Sequence, residues 1–600
     1  MSKDRDEVAR VLGELATLTE IDEGSPNAFR VRAYQNAQRA VEGLGEDLSG
    51  MSAGDLAEVK GIGKSIAARI REYLDEGTIA KLEQLREKHP KGKLALLKIP
   101  GLGPKSVQLL DDELDVTDLE GLAAALEDGR VAELPGMGAK TVENIERAIA
   151  QLGLTSKDQR VPIGTALPVA ERILRVLRDV PGVADLAYAG SLRRFREDIG
   201  DIDVLVASED GAPVHAAFLA MDEVERTIGS GDTKTSVVTR DGVQVDLRVV
   251  PPDSFGAALV YFTGSKAHNI RLRQRAIARG LLLNEYGLVR KPIEDEDAGD
   301  EPEQDVASEL ASADLEVVAS ASEREVYAAL DLPYIAPELR EDDGEIEDAD
   351  GPGLPDLPTV ADLRGDLHDH TDLSGDGRES LEDLVEAVAA RGLSYLAITD
   401  HAEDLRMNGV SREAMLEQRR ALRELEQRRG DIRLFHGAEL NIGADGSLDY
   451  DAAFLAGFDW LVASVHSHFS RPVEAQTARV IAAIRHPSVT AIGHLTGRKL
   501  GRRPGIELDV EQVLDAAAET GTAIEINAAL ARLDAPATVI REGARRGVTF
   551  VISTDAHAID ELDRARFGVA QARRGRLDKA RIANTWELDR FEAWIDGIRG

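Results

Sequence analysis

Histidines and carboxylates follow one another in the C-terminal part of the chain, where nine of the twelve histidines lie after residue 365. Neutral imidazole and carboxylate oxygen are ligands that zinc, manganese and iron accept. So many candidates in one stretch predict a multinuclear metal centre rather than a site for one ion. For His468 and His486 we expect the commoner role of a hydrogen-bonded core residue. The predicted ligands are His368, His370, Asp376, His401, Glu439, His466, His494, Asp555 and His557.

Three carboxylates upstream form a second candidate site. Asp201 and Asp203 interrupt the apolar run 199–206 at alternate positions, so a strand would place both on one face. Asp246 interrupts a similar run at 243–249. Acids seldom occur in such runs without partners, and three carboxylates can hold two Mg²⁺ ions that activate an attacking oxygen and neutralise a leaving phosphate. The alternative is a pair of solvated acids at a sheet edge.

Residues just before these acids offer a binding place for a triphosphate. Gly190 and Ser191 would supply a tight turn with backbone and hydroxyl donors, and Arg194 would supply a charge-assisted contact. The arrangement therefore predicts that a triphosphate binds beside the predicted metal site.

A short glycine pattern occurs three times before residue 150. Two glycines allow a tight turn, and the helix that follows points its amide groups outward, which suits a phosphate group and reads no bases. One copy alone is typical of an ordinary bend between helices. Three copies, each with a lysine, favour binding to the DNA backbone, and they resemble helix-hairpin-helix motifs. The residues are Gly61, Gly63 and Lys64, then Gly101, Gly103 and Lys105, then Gly136, Gly138 and Lys140.

Composition limits the class of protein. A chain of 600 residues predicts several domains, and the absence of cysteine excludes disulfides and thiolate metal sites. No apolar run reaches about 18 residues, so we expect a cytoplasmic protein without a membrane partner. A formal charge of −37 normally argues against a nucleic-acid partner. The excess of acids over scarce lysines is also typical of salt-adapted proteins, whose local basic sites persist under an acidic total.

Strand patterns after residue 365 alternate with helical ones, which predicts a (β/α) barrel with the candidate ligands at the strands' C-terminal ends. Residues 292–303 predict an exposed acidic loop, and residues 341–358, rich in glycine, proline and acids, predict a linker. The seven predicted strands are 366–369, 395–399, 432–436, 460–464, 489–493, 523–527 and 548–553.

The motifs of the middle region resemble those of family X DNA polymerases. The sequences GSLRR at 190–194, DID at 201–203 and VDLR at 245–248 are similar to a nucleotidyltransferase palm, and YFTGS at 261–265 narrows the match. The resemblance implies that Asp201, Asp203 and Asp246 are catalytic and bind Mg²⁺. Other roles follow from it as well: the nucleotide-binding residues would be Gly190, Ser191, Arg194, Gly200, Tyr261, Phe262, Gly264, Asn269 and Arg273.

One position departs from the relatives that have 5′-deoxyribose-phosphate lyase activity. Where they carry the nucleophilic lysine, this chain has Arg69, whose guanidinium stays protonated and does not attack a sugar. Lys60 and Lys64 are the alternative nucleophiles, so the sequence leaves the lyase activity in doubt.

The C-terminal ligand pattern resembles the polymerase-and-histidinol-phosphatase (PHP) domain, a trinuclear phosphoesterase. This resemblance implies up to three Mn²⁺ or Zn²⁺ ions on the nine predicted ligands, with Arg498 as either a further phosphate contact or an exposed cation. The resemblance to family X polymerases that are fused to a PHP domain covers nearly the whole chain. The implied fold is multidomain: a helical region at 1–85, a fingers-like region at 86–155, a palm at 156–255, a thumb at 256–342, a linker at 343–362 and a distorted (β/α)7 barrel at 363–600.

These resemblances predict a DNA repair polymerase that fills short gaps and whose barrel acts as a 3′-5′ exonuclease. Its partners would be gapped or primer-template DNA and deoxynucleoside triphosphates, and we expect a monomer. Two alternatives come from other classes. One is a phosphoesterase for small phosphate esters whose front half is a DNA-binding tether, and the other is a DNA-binding scaffold without activity.

Overall fold

The structure is a computed structural model with two compact units, residues 1–159 and 160–600, and each is treated by itself. In the second unit it describes residues 160–290, 316–405 and 407–599. In the first unit it describes 5–23, 29–42, 48, 51–59, 61–88, 96, 102, 104–114, 116, 121–122, 125–126, 130–134, 137, 142 and 145. The predicted acidic loop at 292–303 lies outside the described residues.

The described part of the first unit is helical. In the first helix, Val8, Leu12 and Leu15 recur at helical spacing and are buried, so this helix packs its apolar face against the second one. The helices are α1 (Arg5–Glu23), α2 (Phe29–Glu42), α3 (Ala53–Glu58), α4 (Lys64–Glu76), α5 (Ala80–Lys88) and α6 (Pro104–Leu114).

The first predicted hairpin joins α3 to α4. Ser52 and Asp55 cap the start of α3, Gly61 has a φ of +100°, and Gly63 caps α4, which begins at Lys64. In the turn, the amide of Ile62 donates to the Val59 carbonyl at 3.0 Å. In the third copy, the amide of Met137 donates to the Leu134 carbonyl at 3.0 Å. Gly101, Gly103, Gly136, Gly138, Lys140 and the side chain of Lys105 lie outside the described residues.

The second unit begins with a five-stranded mixed sheet that carries the upstream acids. Its strands run in the order β2-β4-β7-β6-β5, with β4 and β7 parallel and the other neighbours antiparallel. A separate antiparallel pair, β1 with β3, precedes it. The strands are β1 (Val161–Pro162), β2 (Asp185–Tyr188), β3 (Asp198–Ile199), β4 (Asp201–Ala207), β5 (Val224–Ser230), β6 (Lys234–Thr239) and β7 (Gln244–Val250), and the helices are α7 (Ile163–Arg178), α8 (Gly190–Arg193) and α9 (Ala212–Leu219).

Helices and a three-stranded antiparallel sheet, ordered β10-β9-β8, follow the palm. An ion network joins them to it: Glu323 accepts from Arg193 and from the fully buried Arg340, all at 2.8 Å. The elements are α10 (Phe255–Thr263), α11 (Lys266–Ile277), β8 (Leu281–Leu283), β9 (Leu288–Arg290), β10 (Val317–Ala319), α12 (Glu323–Ala329) and α13 (Glu345–Asp350).

The predicted linker at 343–362 contains helix α13. Glu345 is fully buried there and accepts from Nδ1 of His268 at 2.6 Å, and Ile346 joins the core of the thumb. Glu347 pairs with Arg271 of the thumb, and Asp348 pairs with Arg576 of the C-terminal region. The polar segment is therefore ordered, because its acids have partners that composition does not reveal.

Seven parallel strands form the C-terminal sheet in the order β11 to β17, and the bridge between Asp369 and Ala556 brings its two edges together into a nearly closed barrel. All seven predicted strands are found. They are β11 (Gly365–Asp369), β12 (Tyr395–Ile398), β13 (Arg433–Asn441), β14 (Trp460–Ser464), β15 (Ala491–Ile492), β16 (Ala523–Asn527) and β17 (Phe550–Ser553).

Helices cover the outside of this barrel, as the alternating pattern predicts. They are α14 (Leu381–Ala390), α15 (Arg412–Arg429), α16 (Ala452–Leu455), α17 (Val473–Ile484), α18 (Val510–Thr520), α19 (Ala537–Arg546), α20 (Ala565–Arg574) and α21 (Leu588–Arg599). Across the described ranges, no helix has the length and apolar character needed to cross a membrane.

The palm and the barrel share a hydrophobic core. Leu533 and Phe567 of the barrel belong to the same buried cluster as the palm strands, and the ring of Phe195 stacks on Phe567 with centroids 6.1 Å apart. These contacts place the barrel directly against the part of the palm that carries the triphosphate-binding candidates.

Candidate active sites

The palm acids lie on neighbouring parallel strands. Asp201 and Asp203 are on β4, and Asp246 is on β7, with Asp203 directly opposite Asp246 in the register. Gly190 approaches them so closely that a methyl group there would collide with Oδ2 of Asp203, and its φ is +60°. Glycine is therefore required at the start of α8, and it brings this turn against the carboxylates.

The pKa values of Asp203 and Asp246 are shifted in opposite directions. Burial, together with the charges of Asp201 and Asp246, raises the pKa of Asp203 to about 7. Burial also acts to raise the pKa of Asp246, but hydrogen bonds from Lys234, Ser236 and Gln244 outweigh it and hold that pKa below its usual value. Nζ of Lys234 lies 2.7 Å from Oδ2 of Asp246. The site gathers more negative charge than its own cations offset.

This donor set fits a hard divalent cation. Mg²⁺ is bound through carboxylate oxygens together with substrate phosphates, and cations between the acids would relieve the repulsion that raises the pKa of Asp203. Asp201, Asp203 and Asp246 are the residues that would hold such ions.

The triphosphate-binding candidates border the acids. Ser191 lies in α8, and Gly200 lies between β3 and β4. Arg194 donates from Nε to Oε1 of Glu341 at 3.0 Å and also donates to the Thr263 carbonyl at 2.5 Å. Its guanidinium must exchange Glu341 for a phosphate group to act as predicted.

The YFTGS segment forms the junction between α10 and α11. Gly264 ends α10 with a φ of +66°, and Ser265 caps α11. Asn269 donates to the Tyr261 carbonyl at 2.7 Å, and the guanidinium of Arg273 lies 5.2 Å from the centre of the Tyr261 ring. Arg248 of β7 lies 4.6 Å from the centre of the Phe262 ring, which joins this segment to the strand that carries Asp246.

In the barrel, all nine predicted ligands converge at the C-terminal ends of the strands. Glu439, at the end of β13, is the central residue. Its carboxylate oxygens lie 2.8 Å from Nδ1 of His401, 2.9 Å from Nε2 of His494, 3.1 Å from Nε2 of His466, 3.6 Å from Nε2 of His368 and 3.9 Å from Nε2 of His370.

Two aspartates complete the set. Oδ1 of Asp555 lies 3.4 Å from Nε2 of His370, and Oδ2 of Asp376 lies 3.4 Å from Nε2 of His401 and 3.5 Å from Nε2 of His557. Three overlapping groups have ligand atoms within 4.8 Å of one another, which matches the prediction of several ions. The groups are His370, His401 and His557, then His368, His370 and Asp555, then His401, Glu439 and His466.

Buried ring nitrogens show that this set fits metal ions. Among the described residues, Nε2 of His368 and Nε2 of His370 are buried without a hydrogen-bond partner, yet each lies 3.4 to 3.9 Å from carboxylate oxygens. That spacing is too long for a hydrogen bond and suits two ligands on one cation, since bonds to zinc are about 2.0 to 2.2 Å long. Imidazole with carboxylate is a donor set for Zn²⁺ or Mn²⁺.

The pKa values of the histidines differ with their neighbours. Burial lowers the pKa of His370 to about 3, so its ring is neutral and available as a ligand. Burial also opposes the charged form of His401, but Glu439 and Asp376 outweigh it and raise the pKa of His401 to about 10. His401 thus carries the proton that a bound cation would replace.

A second layer of residues, which the sequence analysis missed, orients the ligands. Nδ1 of His368 donates to Glu525 at 2.6 Å, Glu525 also accepts from the amide of His494 at 2.6 Å, and Nδ1 of His466 donates to Asn441 at 2.8 Å. Asn527 donates to Asp555 at 3.0 Å. Glu525 interrupts the apolar strand β16, which is the same signal that identified Asp201 and Asp203.

Two expectations are wrong. Arg498 is not an exposed cation, because it forms a two-pronged ion pair with Glu197 of the palm at 2.8 and 2.9 Å. His468 is not a core residue: it is exposed in the loop after β14. His486 is half-buried, and its Nδ1 accepts from the amide of Ser488 at 3.2 Å.

Arg69, at the position where relatives with lyase activity carry the nucleophilic lysine, lies in α4 of the first unit. The guanidinium of Arg69 donates to the hydroxyl of Tyr34 and lies 5.4 Å from the centre of its ring. Lys64 is exposed at the start of α4, and Lys60 lies outside the described residues. The doubt about lyase activity therefore stands as a prediction.

Fold and sites together define a nucleotidyltransferase joined to a barrel of the metal-dependent phosphoesterase type. Four family models match: the helix-hairpin-helix domain at 3–79, the SAM-like helix-hairpin-helix tandem at 93–150, the DNA polymerase beta thumb at 258–341 and the PHP domain at 366–529.

Curated relatives agree with these matches. The chain is 37% identical over 592 residues to the DNA polymerase/3′-5′ exonuclease PolX of Bacillus subtilis, covering 98% of this chain and 99% of that protein. It is 25% identical over 338 residues to DNA polymerase lambda of Rattus norvegicus, 52% of each chain, and 30% identical over 207 residues to a probable phosphatase of Acetivibrio thermocellus, 33% of this chain and 81% of that one. The chain belongs to the family X DNA polymerases that carry a C-terminal PHP domain.

Proposed function

We propose that the protein is a DNA repair polymerase that fills short gaps and trims 3′ ends with a 3′-5′ exonuclease in its barrel. The observation that carries the proposal is the presence of two separate sets of candidate ligands in one chain, Asp201 with Asp203 and Asp246 in the palm and nine residues in the barrel. The similarity to PolX over 98% of the chain supports both activities.

The palm residues would position the nucleotide and the primer. Asp201, Asp203 and Asp246 would hold two Mg²⁺ ions, which supply activation of the attacking oxygen and neutralisation of the leaving phosphate. Lys234 and Gln244 fix the orientation of the Asp246 carboxylate. The turn at Gly190 lies against the Asp203 carboxylate, so a triphosphate bound at this turn would lie beside the acids.

In the barrel, the second layer would keep the ligands in the required form. Up to three Mn²⁺ or Zn²⁺ ions on the nine ligands would supply an activated water and offset charge on the phosphate oxygens. Because Nδ1 of His368 donates to Glu525, the lone pair of this ring is on Nε2, which points to Glu439 and Asp555. Asn441 fixes the ring of His466 in the same way.

The substrates follow from these parts. The hairpins of the first unit would hold the backbone of gapped or primer-template DNA, and deoxynucleoside triphosphates would enter the palm. We infer that the enzyme works as a monomer in the cytoplasm. Its formal charge of −37 suits a cytoplasm with a high salt concentration.

A gap-filling assay tests the proposal. The wild type should extend a primer across a gap of one to three nucleotides faster than it extends an open primer-template, and it should degrade a mismatched 3′ end. A His368→Ala, His370→Ala double variant should still extend primers. If the wild type hydrolyses small phosphate esters but extends no primer, the alternative of a phosphoesterase with a DNA-binding tether replaces this one.

A further inference from the structure

The barrel site opens into a cavity of about 960 Å³ that has a basic wall. Lys499, Arg502, Arg532 and Arg564 line this cavity together with several of the ligands. Residues 493–506 contain four cations and no acid, in a chain with 109 acids against 72 lysines and arginines. A wall of one charge beside a metal site favours an anionic ligand.

A rigid turn carries this wall. In the basic hairpin, residues 499–503, the amide of Lys499 donates to the Arg503 carbonyl at 2.9 Å, and the amide of Arg503 donates back at 2.8 Å. Arg503 donates to the Gly497 carbonyl, and its guanidinium lies 3.7 Å from the centre of the Phe469 ring. These contacts hold the Arg503 side chain and the backbone from which Lys499 and Arg502 project.

The palm supports the tip of the basic hairpin. Gly501, at the tip, has a φ of +70°, and a methyl group there would lie 2.6 Å from Cγ of Pro162. On the other side, the amide of Leu500 donates to the Ala531 carbonyl at 2.7 Å. Because Pro162 and Thr165 also line the cavity, the path to the barrel ligands runs between the palm and the basic hairpin.

Of the four cations that line this path, Arg564 pairs with Glu561 at 2.7 Å, whereas the two cations of the basic hairpin have no acidic partner among the described residues. Lys499 and Arg502 form no ion pair within the described ranges, and both are exposed. Arg532, followed by burial, Arg503 and Arg502, holds the pKa of Lys499 below its usual value. Nε of Arg532 lies 3.6 Å from Oδ2 of Asp555, so the row of cations ends at the ligands. An anion between them would relieve their mutual repulsion.

We propose that the basic hairpin and Arg532 bind the phosphodiester backbone of a single DNA strand and guide its 3′ end to the barrel ligands. This inference rests on the proposed exonuclease function. The cavity has the volume of a small-molecule site, which suits the nucleotides of a single strand. Contacts of cations with phosphates carry no sequence information, so the grip should be independent of base sequence.

The test compares two double variants of the full-length protein. The first, called the grip variant, is Lys499→Ala with Arg502→Ala, which removes the two exposed cations of the basic hairpin. Arg485→Ala with Arg545→Ala is the matched control, since these barrel arginines are 62% and 69% exposed and do not line the cavity. Exonuclease kcat and KM are measured in Mn²⁺ on single-stranded oligonucleotides from two to twelve nucleotides long and across a salt series, with primer extension in parallel.

We expect the grip variant to raise KM about tenfold on the long oligonucleotide, with kcat and primer extension unchanged and a much smaller effect on the dinucleotide. The dependence of log KM on log salt should lose about 1.4 of its slope, about 0.7 for each lost contact with a single strand. Lys499→Arg with Arg502→Lys should restore both.

Three results would overturn the inference or what it rests on, and they are distinguishable. If the wild type degrades no DNA, the proposed function fails. If it degrades DNA but the grip variant keeps the KM and the salt slope of the control, only the basic hairpin's role fails. An equal rise in KM for the dinucleotide and the long strand also contradicts a guiding role, because it places the effect at the reacting phosphate.

Discussion

The palm and the barrel would bind cations with different sets of side chains, carboxylates alone in the palm and carboxylates with imidazoles in the barrel. The palm presents three acids on two strands, and burial together with the charges of the other two acids raises the pKa of Asp203 to about 7. The barrel surrounds the carboxylates of Glu439 and Asp555 with imidazoles, which hold the pKa values of both acids far below their usual range although burial opposes this. The palm site thus has fewer positive groups than its acids need, whereas the acids of the barrel are balanced by the imidazoles around them.

This difference predicts how firmly each site retains its metal ions. A site of three acids with few protein ligands gains its remaining ligands from the substrate phosphates. A set of nine candidate ligands, most of them buried and some oriented by Glu525 and Asn441, needs no ligand from the substrate. We therefore expect the barrel to keep its ions through gel filtration and the palm to acquire Mg²⁺ with the nucleotide.

The largest effect should come from Glu439→Gln, since this carboxylate contacts five histidines of the barrel. Degradation should fall by about a thousandfold or more, the scale for losing a group at the reacting centre, and the metal content measured after gel filtration should drop. Primer extension should not change. Glu474→Gln, at an exposed acid of α17, is the control, and normal degradation by Glu439→Gln would contradict the ligand assignment.

A smaller effect should come from Glu525→Gln, in the layer behind the ligands. An amide keeps only one acceptor oxygen for Nδ1 of His368 and the amide of His494, so we expect a loss of roughly 10 to 100-fold in metal affinity or degradation. Excess Mn²⁺ should restore part of the activity. Glu519→Gln, at an exposed acid of α18, should behave as the wild type, and an equal loss in both variants would remove the special role of Glu525.

The smallest effect should be a change in Tm caused by Asp203→Asn, which removes one charge from the palm site. The pKa of Asp203 is raised, so the folded protein binds this proton more tightly than the unfolded chain does, and the wild type loses stability as pH rises from about 4 to about 7. Asp203→Asn removes that loss. Without divalent ions at pH 8, its Tm should exceed the wild-type Tm by about 2 to 4 °C, with little difference at pH 4 to 5.

Magnesium provides the check on that result. By binding between the acids, Mg²⁺ should raise the Tm of the wild type and reduce the advantage of Asp203→Asn. Asp222→Asn, at an exposed acid of the palm, should show no such dependence on pH. A Tm advantage that is the same at all pH values would mean that the charge of Asp203 is not the cause.

Much of the fold could be predicted because each local signal agrees with the architecture. The barrel strands are short apolar runs, most of which are followed by a ligand, and two of them, β14 and β16, have the predicted bounds. Asp203 and Asp246 were identified as partners because acids interrupt apolar runs at both places, and the register confirms that they are opposite each other.

The remaining features depend on contacts between distant segments. Lys234 reaches Asp246 from a separate strand, and its own surroundings contain no motif. Arg498 follows a ligand in sequence, but the docking of the palm turns it to Glu197. Glu345 belongs to a segment with the composition of a linker, and only the packing of α13 shows its partner, His268.

The central claim is that the chain carries two independent sites, one that joins nucleotides and one that removes them. The most direct test is an assay on a gapped duplex with separate Asp203→Ala and His557→Ala variants, in Mg²⁺ and in Mn²⁺. The account predicts that Asp203→Ala loses synthesis and keeps degradation, and that His557→Ala does the reverse. Loss of both activities in both variants would contradict it.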